Sequence, residues 1–66
     1  MLKDDKLLRI SDVMYIVGFS KPSIYRLIKD REFPKPLKIG RSSRWKRSEV
    51  LEWIDTQSRG DVNQWI

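Results

Sequence analysis

The 66-residue sequence contains no cysteine and no histidine. These absences exclude a disulfide framework, a Cys/His zinc site, a cysteine nucleophile and a histidine-based catalytic triad. Packed side chains alone must therefore stabilise the fold. A chain of this length forms a single domain near the lower size limit for independent folding, where a large active-site cavity is not expected.

Long apolar runs are also missing. No segment approaches the roughly 20 apolar residues that span a bilayer, and Met1 to Lys6 lack the apolar stretch of a signal peptide. We therefore expect a soluble cytoplasmic protein with no membrane contact. Its single domain comprises residues 1–66, with a core at about residues 7–58 and a C-terminal tail at residues 59–66.

The sequence offers little for catalysis. Gly18, Gly40 and Gly60 are isolated between predicted elements, so there is no glycine-rich phosphate loop. Carboxylate pairs such as Asp4-Asp5 are expected in charged tails or on exposed helix faces, where no pocket shifts their pKa values. We expect a protein that is not an enzyme and needs no cofactor.

Positive charge is abundant, and it is concentrated in one stretch. Residues 21–47 carry ten basic and two acidic side chains, a net charge of +8, whereas residues 1–20 are neutral and residues 48–66 have a net charge of −3. Nucleic-acid phosphates are the commonest partner for a surface of this kind. Charge alone leaves open a solvated basic face without a partner.

The first predicted elements are a short strand and a short helix. The apolar run formed by Leu7, Leu8 and Ile10 is predicted to be this strand, or alternatively an extended lead-in, with its aliphatic groups packed inward. The helix begins with Ser11 as its N-cap and Asp12 in its first turn, and it ends at Gly18. Its core face has helical spacing and consists of Val13, Ile16 and Val17.

A second helix is predicted from Lys21 to Lys29. Ser20 is its N-cap, and Pro22 lies in the first turn, where a missing N–H does no harm. Its apolar residues share the core face: Ile24, Leu27 and Ile28. Only three residues separate it from the first helix, a glycine-containing connection that is typical of a helix-turn-helix with a protruding second helix.

A hairpin and a third helix complete the predicted fold. Two prolines exclude a helix at residues 33–36; strands follow at residues 37–39 and 44–46, around a turn at residues 40–43. One hairpin face is predicted to be apolar, with Leu37, Ile39 and Trp45, and the other basic, with Lys38, Arg44 and Lys46. The last helix has Ser48 as its N-cap, reaches about Ser58 and is followed by Gly60. Its core face is predicted from Val50, Trp53 and Ile54, with Leu51 as a further candidate.

Four aromatic residues are predicted to pack in the core, and a base-stacking platform is the less favoured alternative: Phe19, Phe33, Trp45 and Trp53. Trp65 differs, because it lies beside Ile66 in a polar tail. It either folds back on the domain or serves as an exposed handle for a partner protein or a second copy of the chain. The sequence does not separate these two roles.

The second helix is the first part of a candidate DNA-binding surface, because the N-terminal residues of such a helix reach base edges in the major groove. The predicted contacts are Ser20, Lys21, Ser23, Tyr25, Arg26 and Lys29, with Lys21, Ser23 and Arg26 as the primary ones. The hydroxyls of Ser23 and Tyr25 alternatively serve phosphates. For Tyr25, half-burial against Phe33 is an equal alternative.

The hairpin is the second part. Its candidate contacts are Lys38, Arg41, Ser42, Arg44 and Lys46. Arg41 and Arg44 are the candidates for the adjacent minor groove, whose negative potential attracts arginine. The alternative is a surface hairpin whose charges discourage edge-to-edge aggregation. Together the elements predict a mainly α fold with a small β-hairpin, of the winged helix-turn-helix class.

The sequence also resembles the AlpA-like phage regulators, small proteins of prophages and related elements. The resemblance covers about residues 7–56 and depends on three motifs: Ile24-Tyr25-Arg26-Leu27, Phe33-Pro34-Lys35-Pro36 and Ser48-Glu49-Val50 followed by Trp53-Ile54. These regulators are similar in fold to excisionases and to the DNA-binding part of MerR-type regulators. The resemblance does not extend to the tail ending in Trp65-Ile66.

The resemblance implies a transcriptional regulator or a recombination directionality factor that bends double-stranded DNA. It places Ser20–Lys29 in the major groove and Arg41–Arg44 along the minor groove, and an integrase or another recombination or transcription protein is an implied partner. Because one copy reads only about four to six base pairs, we expect several copies on repeated sites. The alternative is a protein-interaction module whose basic face docks on an acidic partner protein.

Overall fold

A computed structural model describes residues 5–57 of the chain. In chain order its elements are β1 (Leu7–Leu8), α1 (Ile10–Val17), α2 (Lys21–Lys29), β2 (Leu37–Ile39), β3 (Ser42–Lys46) and α3 (Arg47–Thr56). The strands form an antiparallel sheet in the order β1-β3-β2. The described part is therefore a small α+β fold, in which β1 adds a third strand to the predicted hairpin. The predicted tail at residues 59–66, with Gly60 and Trp65-Ile66, lies outside the described residues.

Helix α1 begins earlier than its sequence indicates. Its N-cap is Arg9, whose backbone N–H donates to the Asp12 carboxylate at 3.0 Å. An acidic residue at the third helical position that bonds back to the N-cap stabilises a helix start. The prediction of Ser11 as N-cap is therefore wrong, and so is the assignment of Ile10 to a strand. The predicted first-turn position of Asp12 is confirmed.

The end of α1 and most of its core face agree with the prediction. Gly18 ends the helix with φ 77°, a left-handed conformation that glycine adopts without strain. Val13 is fully buried, while Ile16 is 36% exposed, so the prediction of Ile16 in the core is wrong. The residues that pack against the core from this helix recur at positions i, i+4 and i+7: Ile10, Met14 and Val17.

The hydrophobic core draws on nearly every element. Its buried residues are Leu8, Val13, Ile24, Phe33, Trp45 and Val50. Trp53 packs against this cluster, so three of the four predicted core aromatics are confirmed. The fourth, Phe19, is 43% exposed because it lies in the connection between α1 and α2. On α3, Leu51 and Ile54 are 40% and 36% exposed, so the prediction of Ile54 in the core is wrong.

The register of the hairpin corrects the predicted distribution of its side chains. Leu37 lies opposite Arg44, and Ile39 lies opposite Ser42. Directly opposed residues of an antiparallel pair point to the same sheet face. Arg44 therefore shares a face with the two apolar residues, while Lys38 shares the other face with Trp45. The prediction of one apolar and one basic face is wrong, because a turn with an even number of residues, two in the structure and four in the prediction, places Ile39 and Trp45 on opposite faces.

The start of α3 is fixed by a residue far away in sequence. The Ser48 backbone N–H and hydroxyl both donate to one Asp5 oxygen, at 3.2 and 2.8 Å. Ser48 is therefore not the N-cap, since the helix begins at Arg47, and Asp5 is held against the fold, not left in a charged tail. The Ser48 hydroxyl is the main cause of a lowered pKa of Asp5, with smaller contributions from the Ser48 N–H and from Lys46. None of the helices within residues 5–57 is long and apolar enough to cross a membrane.

The residue directly after the C-cap of helix α2 is strained. Arg31 has φ 62°, its N–H donates to the Ile28 carbonyl at 3.0 Å, and the Glu32 N–H donates to the Leu27 carbonyl at 2.7 Å. This is the Schellman pattern, in which the left-handed position is usually glycine. An arginine there bears a conformational cost of roughly 1–2 kcal/mol.

We predict that Arg31→Gly raises the free energy of unfolding by about 0.5–1 kcal/mol, because the strain relieved exceeds the extra unfolded-state entropy of glycine. Urea unfolding followed by circular dichroism measures the change. Asp30→Gly is the matched control; it should lower stability, because Asp30 has an ordinary φ of −84°. A lower unfolding midpoint for Arg31→Gly would contradict the assignment of strain.

We also predict that Asp5→Ala lowers the melting temperature at neutral pH and that the difference from the unmodified chain narrows in acid. The folded chain holds the pKa of Asp5 below its ordinary value of 3.8. The stabilisation of the fold by the Asp5 carboxylate is therefore complete above the ordinary pKa. It is lost as the pH falls through the lower pKa that Asp5 has in the folded chain. Glu52→Gln, which removes an exposed charge from α3, is the control. A pH-independent difference would show that the carboxylate charge is not involved.

Candidate nucleic-acid interface

The N-terminus of α2 is capped as its sequence predicts. The Ser20 hydroxyl accepts the Ser23 backbone N–H at 3.4 Å and donates to the Ser23 hydroxyl at 3.0 Å. Pro22 occupies the first turn. The predicted bounds, Lys21 to Lys29, are confirmed. Both serine side chains are therefore engaged with each other in the unbound chain, although both remain exposed and keep capacity for a further hydrogen bond.

The two faces of α2 differ as predicted. Ile24 is fully buried, and Leu27 and Ile28 pack against the core. This burial orients the opposite face to solvent, where the exposed polar residues of the helix are Lys21, Ser23, Arg26 and Lys29. Arg26 and Lys29 belong to the last turn, where positive charge complements the helix dipole.

Tyr25 connects α2 to the sheet. Its ring meets the Trp45 ring edge to face, with centroids 6.2 Å apart, and the side chain remains 38% exposed. The alternative of half-burial against Phe33 is wrong: the ring beside Tyr25 is Trp45, and Phe33 meets Trp53 edge to face with centroids 4.7 Å apart. The recognition candidates on α2 and the hairpin therefore belong to neighbouring elements.

The hairpin candidates fall into two groups. Arg41 is exposed in the turn, directly after Gly40, whose φ of 63° fits the first central position of a type II′ turn. Arg44 is partly buried, and its guanidinium donates to the Ser43 carbonyl at 2.9 Å. Lys38 donates to the Ser43 hydroxyl at 3.0 Å. Arg41 is thus the freer of the two arginine candidates.

Two further hairpin candidates lie on the same sheet face as Arg44. Along β3, Ser42 lies two residues before Arg44 and Lys46 lies two residues after it, so these three side chains point to the same face. Lys38 lies on the opposite face. Positive charge therefore occupies both sides of the hairpin, so no single basic face exists there. Each side can approach a separate phosphate.

Comparison with known proteins places the chain in a family. The family profile described as Prophage CP4-57 regulatory protein (AlpA) matches residues 6–60. The chain belongs to the AlpA family. An uncharacterized protein of Enterobacteria phage P4, ORF88, is 35% identical to this chain over 54 residues. These residues are 80% of this chain and 61% of the length of that relative. No solved structure matches the chain.

AlpA membership confirms the resemblance drawn from the sequence motifs. The Phe33–Pro36 motif forms the connection between α2 and the hairpin. The indole N–H of Trp45 donates to the Pro34 carbonyl at 3.0 Å, and that of Trp53 donates to the Glu32 carbonyl at 2.6 Å. Both tryptophans thus anchor this proline-rich connection.

Two cations that the sequence analysis did not select lie at the same connection. Arg31 and Lys35 line a surface cleft of about 480 Å³ together with Ile28 and Phe33. The cleft extends the positive surface of this AlpA family member beyond the end of α2. The sequence indicated Arg31 and Lys35 only as two of the ten basic residues in the stretch 21–47. Their proximity in space depends on the left-handed turn at Arg31.

We predict that Ser20→Ala lowers the free energy of unfolding by about 1 kcal/mol, since it removes the N-cap of α2. Ser23→Ala is the matched control: it removes the hydroxyl contact but keeps the capped backbone N–H, so its effect should be smaller. Urea unfolding of both variants measures the difference. Equal losses would mean that the cap at Ser20 does not stabilise the helix.

Proposed function

We propose that this AlpA family protein binds double-stranded DNA in a sequence-specific manner and regulates a prophage or related mobile element. In this proposal the fold acts as a winged helix-turn-helix, with α2 in the major groove and the β2–β3 hairpin as the wing on the minor groove or the backbone. The observation that carries it is the burial of the Ile24 stripe, which leaves Lys21, Arg26 and Lys29 exposed.

The dimensions of α2 suit this role. Helix α2 has nine residues and is about 13 Å long, and the diameter of an α-helix with its side chains, about 10–12 Å, fits a major groove about 12 Å wide. Arg26 can pair with guanine acceptors there, and Lys21 near the N-terminus can reach a base edge or a phosphate. The contact between Tyr25 and Trp45 supports the wing as a second anchor, because it keeps the hairpin beside the helix.

Charge supports a polyanionic partner. Residues 33–47 contain six basic and no acidic side chains. Phosphate contacts from such a segment supply affinity with little sequence preference, whereas contacts from α2 supply specificity. The proposed contact set is that of the sequence analysis: Ser20, Lys21, Ser23, Tyr25, Arg26, Lys29, Lys38, Arg41, Ser42, Arg44 and Lys46.

Two biological roles fit this proposal, a transcriptional regulator and an excisionase that directs recombination together with an integrase. Both require the same specific contact with duplex DNA, and several copies are expected on repeated sites. Selection of bound fragments from the source genome gives the site and the repeat spacing. An excision assay on that site then separates the two roles.

We predict that Arg26→Ala weakens binding to the selected site by about 1–3 kcal/mol and relaxes the base preference at one position. Lys29→Ala should weaken binding to all sequences evenly and reduce the salt dependence by about one phosphate contact. Fluorescence anisotropy over a range of salt concentrations measures both effects.

The control is Lys6→Ala, which removes one exposed positive charge from the segment before β1. It should change affinity less than either α2 variant. Unchanged affinity and base preference in Arg26→Ala would show that α2 is not the reading helix. If the unmodified chain fails to retard any genomic duplex at low salt and instead recovers one acidic protein partner, the protein-interaction alternative replaces the proposal.

A further inference from the structure

The outer face of the sheet, defined here by Leu7, Leu37 and Ile39 as the face opposite Trp45, carries apolar side chains that the core does not use. These residues are 43%, 40% and 51% exposed. Ile39 is the most exposed large aliphatic residue within residues 5–57. It is also the last residue of β2, directly before the Gly40-Arg41 turn, and thus lies at the tip of the hairpin.

The register prevents Ile39 from joining the core. Trp45 and Leu8 are paired and buried on the inner face, while Ile39 and Ser42 are paired at the tip with side chains on the outer face. Moving Ile39 inward would require a one-residue slip of β2 against β3, which would turn Lys38 to the outer face and break its hydrogen bond to Ser43. The exposure of Ile39 is therefore imposed by the fold.

The surroundings of Ile39 are positively charged. Arg41 follows it in the turn, and Arg44 and Lys46 project from the outer face of β3. No acidic side chain occurs between residues 33 and 47. An apolar tip flanked by cations is complementary to a surface that has phosphates around an apolar interior, as stacked base pairs have.

The shape of the tip favours the minor groove over a broad surface. The hairpin closes in a two-residue turn, Gly40-Arg41, so its tip is narrower than the two-stranded ribbon behind it, whose width suits the major groove. Apolar side chains that enter this groove wedge between base pairs, unstack them and kink the duplex. Flexible pyrimidine–purine steps such as TpA unstack most readily.

We propose that Ile39 is a wedge that enters the minor groove, inserts between two base pairs and kinks the DNA, while Arg41 and Arg44 hold the flanking phosphates. This inference rests on the proposed DNA binding and deepens it by assigning a deforming residue to the wing. It separates two tasks within one hairpin: the cations supply affinity and Ile39 supplies the kink.

The test uses duplexes of about 30 base pairs that carry the selected site, with a TpA step at varied positions under the wing. Energy transfer between dyes at the two ends reports the bend. 2-Aminopurine at the adenine of the step reports unstacking, because its fluorescence rises when it leaves the stack. The unmodified chain should raise the 2-aminopurine signal at one position and bring the two ends closer.

Ile39→Ala should abolish the fluorescence rise and most of the bend while the duplex remains bound. Ile39→Leu should restore both, and Leu37→Ala, which removes an exposed aliphatic group from the same face two residues earlier, should leave both unchanged. Circular dichroism checks that each variant is folded.

Binding by Ile39→Ala with an unchanged bend and signal would overturn the wedge and leave the DNA-binding proposal intact. If the unmodified chain binds the duplex but raises the 2-aminopurine signal at no position of the TpA step, the wedge is likewise overturned and the DNA-binding proposal stands. A chain that binds vesicles of anionic lipid through Ile39 and binds no duplex would overturn both proposals.

Discussion

The buried indole of Trp45 is the interaction on which the arrangement of the hairpin, α2 and the proline-rich connection depends. Its ring is fully buried, pairs across the sheet with Leu8 and meets the Tyr25 ring at its edge. Its N–H donates to the Pro34 carbonyl, so the polar end of the side chain is also satisfied. One side chain therefore fixes the distance between the helix proposed to read DNA and the hairpin proposed to grip it.

The connection between α2 and the hairpin is held from two sides. Trp45 donates a hydrogen bond to it from the sheet, and Trp53 donates one from α3 while its ring meets Phe33 edge to face. Prolines stiffen this segment, because their φ angles are fixed. The strained left-handed residue Arg31 tightens the exit from α2. A small core can therefore present two separate basic elements without a large interface between them.

Local rules predicted α2 well, because Ser20, Pro22 and the Ile24 stripe act within one helix. Local rules failed where a contact comes from elsewhere in the chain. Ser48 has the residue type of an N-cap, but it donates to the distant Asp5. The hairpin faces were misassigned although either the observed two-residue turn or the predicted four-residue turn puts Ile39 and Trp45 on opposite faces, so the separation of the hairpin cations follows from parity alone. The exact register and the exposure of Ile39 at the tip required the structure.

Strand β1 contributes a last consequence. Its only sheet partner within residues 5–57 is β3, and Asp5 bonds to Ser48, 43 positions later. Such distant pairings slow folding, since a long loop must close before they form. During synthesis the N-terminal segment must therefore wait unpaired until the hairpin and the start of α3 have left the ribosome. Completion of this small fold is thus tied to the emergence of β3 and the first turn of α3.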